Sequence, residues 1–256
     1  MPENKTPYVS YQVTDKIGTI EFYTPQHNSM PSAILTKLAE QIEEAGNDVN
    51  SKVLILKTAG EKTFCAGASF DELLLIQNEE EGKIFFSGFA KVINAMRKCP
   101  KFIIGRIQGK AIGGGVGVAA TCDYTFATND ASVKLSELAV GIGPFVVAPA
   151  IISKIGKSAT YELAIDATNF RSAEWAKEKG LFTEIYKNAH EMDLAIQKLA
   201  FSLAASSEQA MYEMKKAFWQ GTEEWDQTLY DRAAISGRLI VSDEAKSYLR
   251  DFKKWK

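Results

Sequence analysis

The chain has 256 residues, 46% of them hydrophobic and 24% charged, too apolar a mixture for disorder and long enough to bury about 70–75% of the extended surface without disulfide staples. Thirty Lys and Arg against 32 Asp and Glu leave a formal net charge of −2, so there is no overall basic field for nucleic acid. Cys65, Cys99 and Cys122 form no CxxC pair and leave one thiol unmatched, which suits a reducing compartment and makes the cytoplasm the expected location.

The opening MPENKTPYVSY has no apolar core of the kind a secretory signal needs. Ile17 to Tyr23 alternates Ile20 and Phe22 with polar neighbours and predicts a strand, closed by Pro25 and the turn-forming His27-Asn28-Ser29. Ile34, Leu35, Leu38 and Ile42 recur at helical spacing behind Ser32, a suitable N-cap. Lys52 to Lys57 is a short continuous apolar run of strand length. Strand, helix, strand in this order predicts an α/β fold with a buried parallel pair.

Asp71 to Asn78 is read as helical, and Ile84, Phe85, Phe89, Val92 and Met96 mark a longer amphipathic helix that Pro100 stops. Lys101 to Ile107 is the next strand and runs into Gly109-Lys110-Ala111-Ile112-Gly113-Gly114-Gly115. A short helix over Val116 to Cys122 and a strand over Tyr124 to Thr128 follow. The uncharged stretch nearest to a membrane span in length, Leu138 to Ser153, contains Glu-free sequence but is broken by Gly141, Gly143, Pro144 and Pro149. From about Lys157 the pattern is helical with one strand near Leu181 to Tyr186, and Glu191 to Lys256 is almost wholly helical. No internal repeat stands out. The expected organisation is an α/β core over 1–190 and a helical part over 191–256.

Several chemistries lack a skeleton. His27 and His190 are far apart and have no ligand-spaced partners, so no metal is expected. Gly67-Ala68-Ser69-Phe70-Asp71 lacks the last glycine of a serine nucleophile elbow. Gly105 to Ala111 is one residue short of a phosphate loop, with no Ser or Thr after the lysine. Gly115, Gly117 and Ala120 match a dinucleotide fingerprint, but no acidic residue ends the next strand. No cofactor is expected.

What remains is a pair of turns. Leu54-Ile55-Leu56 precedes Phe64-Cys65-Ala66-Gly67-Ala68, and Phe102-Ile103-Ile104 precedes Gly113-Gly114-Gly115. Small residues let a ligand approach the main chain, and the free N–H groups of a helix start carry partial positive charge. Two such groups aimed at one point make an oxyanion hole. Tight strand–helix packing accounts for the same glycines, so the residues alone leave both readings open.

Phe64-Cys65-Ala66-Gly67-Ala68-Ser69-Phe70 resembles the F-x-A-G-A-D-[LI] signature of the crotonase (enoyl-CoA hydratase/isomerase) superfamily. Gly109 to Gly115, followed by Cys122-Asp123, is similar to its N-G-x-A-x-G-G-G…C-D segment, and the likeness runs over nearly the whole chain. The resemblance implies an α/β crotonase-like spiral of repeated ββα units with a helical C-terminal trimerisation region, forming trimers or hexamers. The ligand it implies is an acyl-CoA thioester, with coenzyme A as part of the substrate. By position, Ala68 and Gly114 supply the oxyanion-hole amides, and Ala66, Ser69 and Phe70 line the CoA groove. Gln26 and His27 fall in the loop that touches CoA, and Tyr248 and Lys254 fall where the family places residues near the adenine and phosphates.

Two glutamates hold the catalytic water in typical hydratases of this family. Ser136-Glu137-Leu138-Ala139-Val140-Gly141 matches the stretch that carries the second, so Glu137 is the implied acid/base; the position of the first is Gly117. Asp71 and Glu72 are the candidates for sharing its task. Gly141 to Pro149 is similar to a variant of bacterial methylglutaconyl-CoA hydratases of leucine breakdown, so the expected activity is enoyl-CoA hydration. Δ3-Δ2-enoyl-CoA isomerisation by the single glutamate is the alternative, and a non-catalytic acyl-CoA-binding homologue is the third reading.

Overall fold

The computed structural model describes residues 6–254. Strand β1 (Tyr8–Thr14) turns through Asp15 and Lys16 into β2 (Ile17–Tyr23), and both turn residues have positive φ, 53° and 64°. Such two-residue turns usually carry Asn-Gly or Asp-Gly. Asp-Lys hides the turn, and β1 escapes a reading that begins at Ile17.

After α1 (Ser32–Asn47), three stretches repeat one plan: a long strand, a short strand, then helix. They are β3 (Val53–Thr58), β4 (Thr63–Cys65), α2 (Phe70–Leu75) and α3 (Glu79–Lys98); β5 (Ile103–Ile107), β6 (Lys110–Ile112) and α4 (Gly114–Thr121); and β7 (Tyr124–Thr128), β8 (Ser132–Lys134) and α5 (Ala148–Ile165). The chain continues through β9 (Arg171–Ser172), α6 (Ala173–Glu178) and β10 (Glu184–Tyr186), and ends in α7 (Ala189–Ala204), α8 (Glu208–Phe218), α9 (Trp225–Ile240) and α10 (Asp243–Lys254).

The long strands form one sheet, β1-β2-β3-β5-β7-β10, and the short ones a second, β4-β6-β8-β9. Pairing is parallel except at β1–β2 and β8–β9. The ββα repeat is therefore real in space. It is invisible as sequence because strands of three residues carry no periodicity.

Apolar runs such as Val53 to Leu56 follow from burial on both faces of the large sheet. Ile20, Phe22, Leu54, Leu56 and Ile103 share a core with Leu35, Leu38, Phe85 and Phe89 of α1 and α3. Ile17, Val53, Ile55, Ile104 and Phe126 face Met192, Ile196 and Ala200 of α7. Among the described residues the helical stretch from Glu191 onward divides into four helices, and Ser207 caps α8 by accepting the Ala210 N–H. Helix α9 crosses α3 closely, since a Cβ at Gly82 would lie 2.6 Å from Gly237 Cα. Helix α10 folds back between α2 and the Gly141 turn, with the Lys246 ammonium donating to the Ile76 carbonyl and Ala245 against Gly141.

One expected cap is corrected. Pro31, not Ser32, holds the N-cap position of α1 and has no side-chain bond to offer. The Ser32 N–H and hydroxyl donate instead to Glu72 Oε2, at 2.9 and 2.7 Å, so α1 is capped from α2. No helix among the described residues is long and apolar enough to cross a membrane.

Candidate active site

The second sheet brings the two small-residue turns together. Gly67 has φ 84°, and a Cβ there would stand 2.7 Å from the Ile112 carbonyl and 3.4 Å from the Gly114 nitrogen. Any other residue is thus excluded both by conformation and by the neighbouring backbone. A Cβ at Gly115 would meet the Cys65 carbonyl at 2.6 Å. The turns touch along their main chains.

Their free amides follow from the pairing. Met30 donates to the Gly67 carbonyl at 2.7 Å and accepts from the Ser69 N–H at 3.2 Å, a parallel bridge centred on Ala68. Such a bridge uses the neighbours of Ala68, and its own N–H points the other way. Gly114 opens α4, where N–H groups have no helical acceptor. Among the described residues neither N–H finds a hydrogen-bond partner.

Glu137 stands after β8 at the start of a 3-10 turn over Leu138–Val140, and the Val140 and Ile142 N–H groups lock that turn by donating to the Glu137 carbonyl, both at 3.1 Å. Its carboxylate lies against Gly113, where a Cβ would be 2.8 Å from Oε1. Gly113 also has φ 52° and ψ −118°, so glycine is required there twice over. Glu137 Oε2 is buried without a hydrogen-bond partner. Burial pushes the carboxyl up from 4.5 to about 7, and no neighbouring charge contributes. A buried carboxyl with an unused oxygen is costly for the fold, and a raised pKa of this kind makes Glu137 the candidate acid/base of the site.

Gly117, the position of the first acid, has no room for a side chain. A Cβ at Gly117 would fall 2.5 Å from Val147 Cγ1 and 2.6 Å from Val147 Cβ, so an apolar side chain occupies the space where the family resemblance would put a glutamate. Gly117→Ala is expected to destabilise the protein by about 1–3 kcal/mol through overpacking, read as a lower midpoint in urea; an unchanged midpoint would show that Val147 yields. Asp71 is exposed, and Glu72 is committed to Ser32. Among the described residues neither has a hydrogen bond or ion pair to Glu137.

The other expected residues are arranged as follows. Gln26 and His27 are exposed, and the His27 carbonyl accepts the Ala66 N–H at 3.1 Å, which ties their loop to the first turn. Ala66, Ala68 and Phe70 are half-buried. Ser69 is buried and caps α2, accepting the Glu72 N–H at 3.4 Å. Tyr248 is exposed on α10, donates to Glu244 at 3.1 Å and lays its ring beside Gly141. Helix α10 includes Lys254, whose side chain lies outside the described residues.

Sequence reasoning missed the supports. Asn28 accepts from the Thr24 N–H and donates to the Ala59 and Thr63 carbonyls at 2.8 and 3.0 Å. Gln108 donates to Thr58 Oγ1 and to the Gly60 and Thr63 carbonyls. Together they hold β4 and the turn after it. The spacing of Phe89 predicts only a helix core position, yet its ring lies on Gly114, where a Cβ would be 2.0 Å from Cε1.

Residues 12–252 match the family model described as enoyl-CoA hydratase/isomerase. The chain is 25% identical over 246 residues to a probable enoyl-CoA hydratase of Bacillus subtilis (strain 168), covering 95% of each chain. It is 30% identical over 200 residues to the mitochondrial methylglutaconyl-CoA hydratase of Mus musculus, covering 77% of this chain and 63% of that one. The crystal structure of an enoyl-CoA hydratase from Bacillus halodurans superposes with a TM-score of 0.88 at 22% identity, over 95% of this chain and 99% of that chain.

Proposed function

The chain belongs to the enoyl-CoA hydratase/isomerase (crotonase) family, and from that premise and the placement of Glu137 we propose that it is an enoyl-CoA hydratase in which one carboxylate makes both proton transfers. The observation that carries this reading is the unpartnered Glu137 oxygen beside the turn that presents the Gly114 N–H. With the thioester carbonyl accepting from the Ala68 and Gly114 N–H groups, negative charge that develops on its oxygen is stabilised. Ionised Glu137 takes a proton from water as the water oxygen bonds to C3, and the C2–C3 π pair moves onto the thioester as an enolate. Protonated Glu137 then gives that proton to C2, the carbonyl re-forms, and the net change is the addition of one water. A carboxyl near 7 can accept and return a proton at neutral pH.

Likeness to the methylglutaconyl-CoA hydratase supports a short, branched acyl group. Val147 at Gly117 favours a second reading, double-bond migration, in which Glu137 takes a proton from C2 of a 3-enoyl thioester and returns it to C4. A panel of 2-enoyl- and 3-enoyl-CoA thioesters, followed separately for water addition and bond migration, separates the two. Hydration of the 2-enoyl series is expected. Migration without hydration would replace the first reading by the second, and saturable binding without either reaction would make the protein an acyl-CoA-binding module.

A further inference from the structure

We propose that a groove between α7, α8 and the end of α4 binds an alkyl carboxylate, with the Lys154 ammonium as partner of its head group and apolar side chains of the two helices against its chain. The groove is separate from the oxyanion hole. Helix α4 runs from Gly114 to Thr121, so its Cys122 end lies about 12 Å from the oxyanion amide at 1.5 Å per residue. The inference therefore stands apart from the acyl-CoA reading.

The groove has a volume of about 420 Å³, within the size range of sites for small organic ligands. It is lined by Ile104 and Tyr124 near the starts of β5 and β7, by Leu199 and Leu203 of α7, and by Met214 and Phe218 of α8. Met214 and Phe218, one turn apart, are 48% and 67% exposed. An alkyl chain laid in the groove removes that apolar surface from water.

The polar end of the groove is a cation without a counter-ion. Lys154 of α5 lines it and is half-buried, and its Nζ donates to the Cys122 and Asp123 carbonyls at 2.9 and 3.3 Å. Among the described residues no carboxylate lies within 4 Å of that nitrogen. An ammonium has three N–H donors, so one is left over. Asp123, the acid among the described residues of the groove, is committed elsewhere: it pairs with Lys215 at 2.9 Å and accepts the Ile103 N–H at 2.7 Å and the Trp219 indole N–H at 3.1 Å. The Cys122 thiol adds no charge, because burial pushes it up to about 12. One positive charge is thus uncompensated, and its partial burial is costly until an anion joins it. A carboxylate accepts the spare N–H as a charge-assisted bond. A single free cation among apolar walls matches one negative charge on an alkyl chain rather than a polyanion.

The test titrates the full chain by calorimetry with decanoate, decan-1-ol and acetate, below the concentration of micelle formation, with and without saturating butyryl-CoA. Lys154→Met and Phe218→Glu are titrated in parallel. The wild type is expected to bind decanoate saturably and more tightly than the alcohol or acetate, with no displacement by butyryl-CoA. Trp219 lines the groove, so tryptophan emission should change with the same midpoint. Lys154→Met should weaken decanoate binding about 10- to 100-fold, the usual effect of losing a hydrogen bond to a charged group, and leave the alcohol within a few-fold. Phe218→Glu, a like charge at an exposed position, should weaken decanoate more than the alcohol. Equal affinity for decanoate and decan-1-ol in the wild type, unchanged decanoate affinity in Lys154→Met, or displacement by butyryl-CoA overturns the proposal. Absence of decanoate binding overturns it too, and a smaller assembly of Phe218→Glu in light scattering would then assign the groove to a second copy of the chain. Lys154-dependent decanoate binding by a protein with no affinity for butyryl-CoA would leave this site standing and refute the acyl-CoA reading.

Discussion

Glu137→Gln is expected to lower turnover by about 10²–10⁴, the range for loss of a positioned general acid or base, while affinity for a non-reactive acyl-CoA stays within a few-fold. Glutamine keeps the size and hydrogen-bonding capacity of the side chain but neither takes nor delivers a proton as a carboxyl does. In the wild type kcat/KM should rise with pH and level off above about 7, because the ionised form starts the reaction and burial holds the carboxyl near that value. Stability should move the opposite way. The folded pKa lies above the unfolded value, so folding favours the protonated form; this contribution is present at low pH and is lost between 4.5 and about 7. Above that window the native state carries a buried charge at a cost of the order of 3 kcal/mol. Glu137→Gln should therefore melt higher than the wild type at pH 8 and close to it near pH 4. A variant that is inactive but also less stable at pH 8 would mean that Glu137 serves the fold.

Removal of the Gly114 N–H is the second large effect expected. Proline is tolerated at the first position of a helix, and Gly113, in the mirror image of the extended region, accommodates a following proline. Its Cβ, however, would strike Phe89. The clean comparison is Gly114→Pro with Phe89→Ala against Gly114→Ala with Phe89→Ala, two variants that share the relieved contact and differ in the N–H. The proline pair should turn over about 10²–10³ more slowly, the effect of losing one oxyanion donor. Equal rates would exclude this amide from the hole.

How much of this was legible depended on the range of the cause. Strands with long apolar runs and helices with apolar stripes, such as β3 and α3, declare themselves because their burial is periodic along the chain. The strand expected over Tyr124–Thr128 coincides with β7 to the residue for the same reason. The short strands β4, β6, β8 and β9 were not legible, since two or three residues have no pattern and exist only because the neighbouring turns align them. The site shows the same division. Glu137 and the amides of Ala68 and Gly114 could be named as candidates because their motifs are local. The Val147 contact with Gly117, the Glu72 cap on Ser32 and the Asn28 and Gln108 clamps join residues 30 to 50 positions apart, and no spacing rule announces such pairs. A positive-φ asparagine in a turn, with φ 55° at Asn28, is the one such support for which residue type gave a signal, since asparagine tolerates that conformation.

The central claim, that Glu137 carries one proton between water and C2 of an enolate held by Ala68 and Gly114, is tested most directly by isotope incorporation. A 2-enoyl-CoA is incubated with wild type and with Glu137→Gln in deuterated, oxygen-18-labelled water, and the thioester product is analysed by mass spectrometry and NMR. The account predicts one deuterium at C2 and labelled oxygen at C3 with the wild type, both formed at least about 10²-fold more slowly by the variant. Incorporation by Glu137→Gln at the wild-type rate, or oxygen at C3 without deuterium at C2, would contradict it.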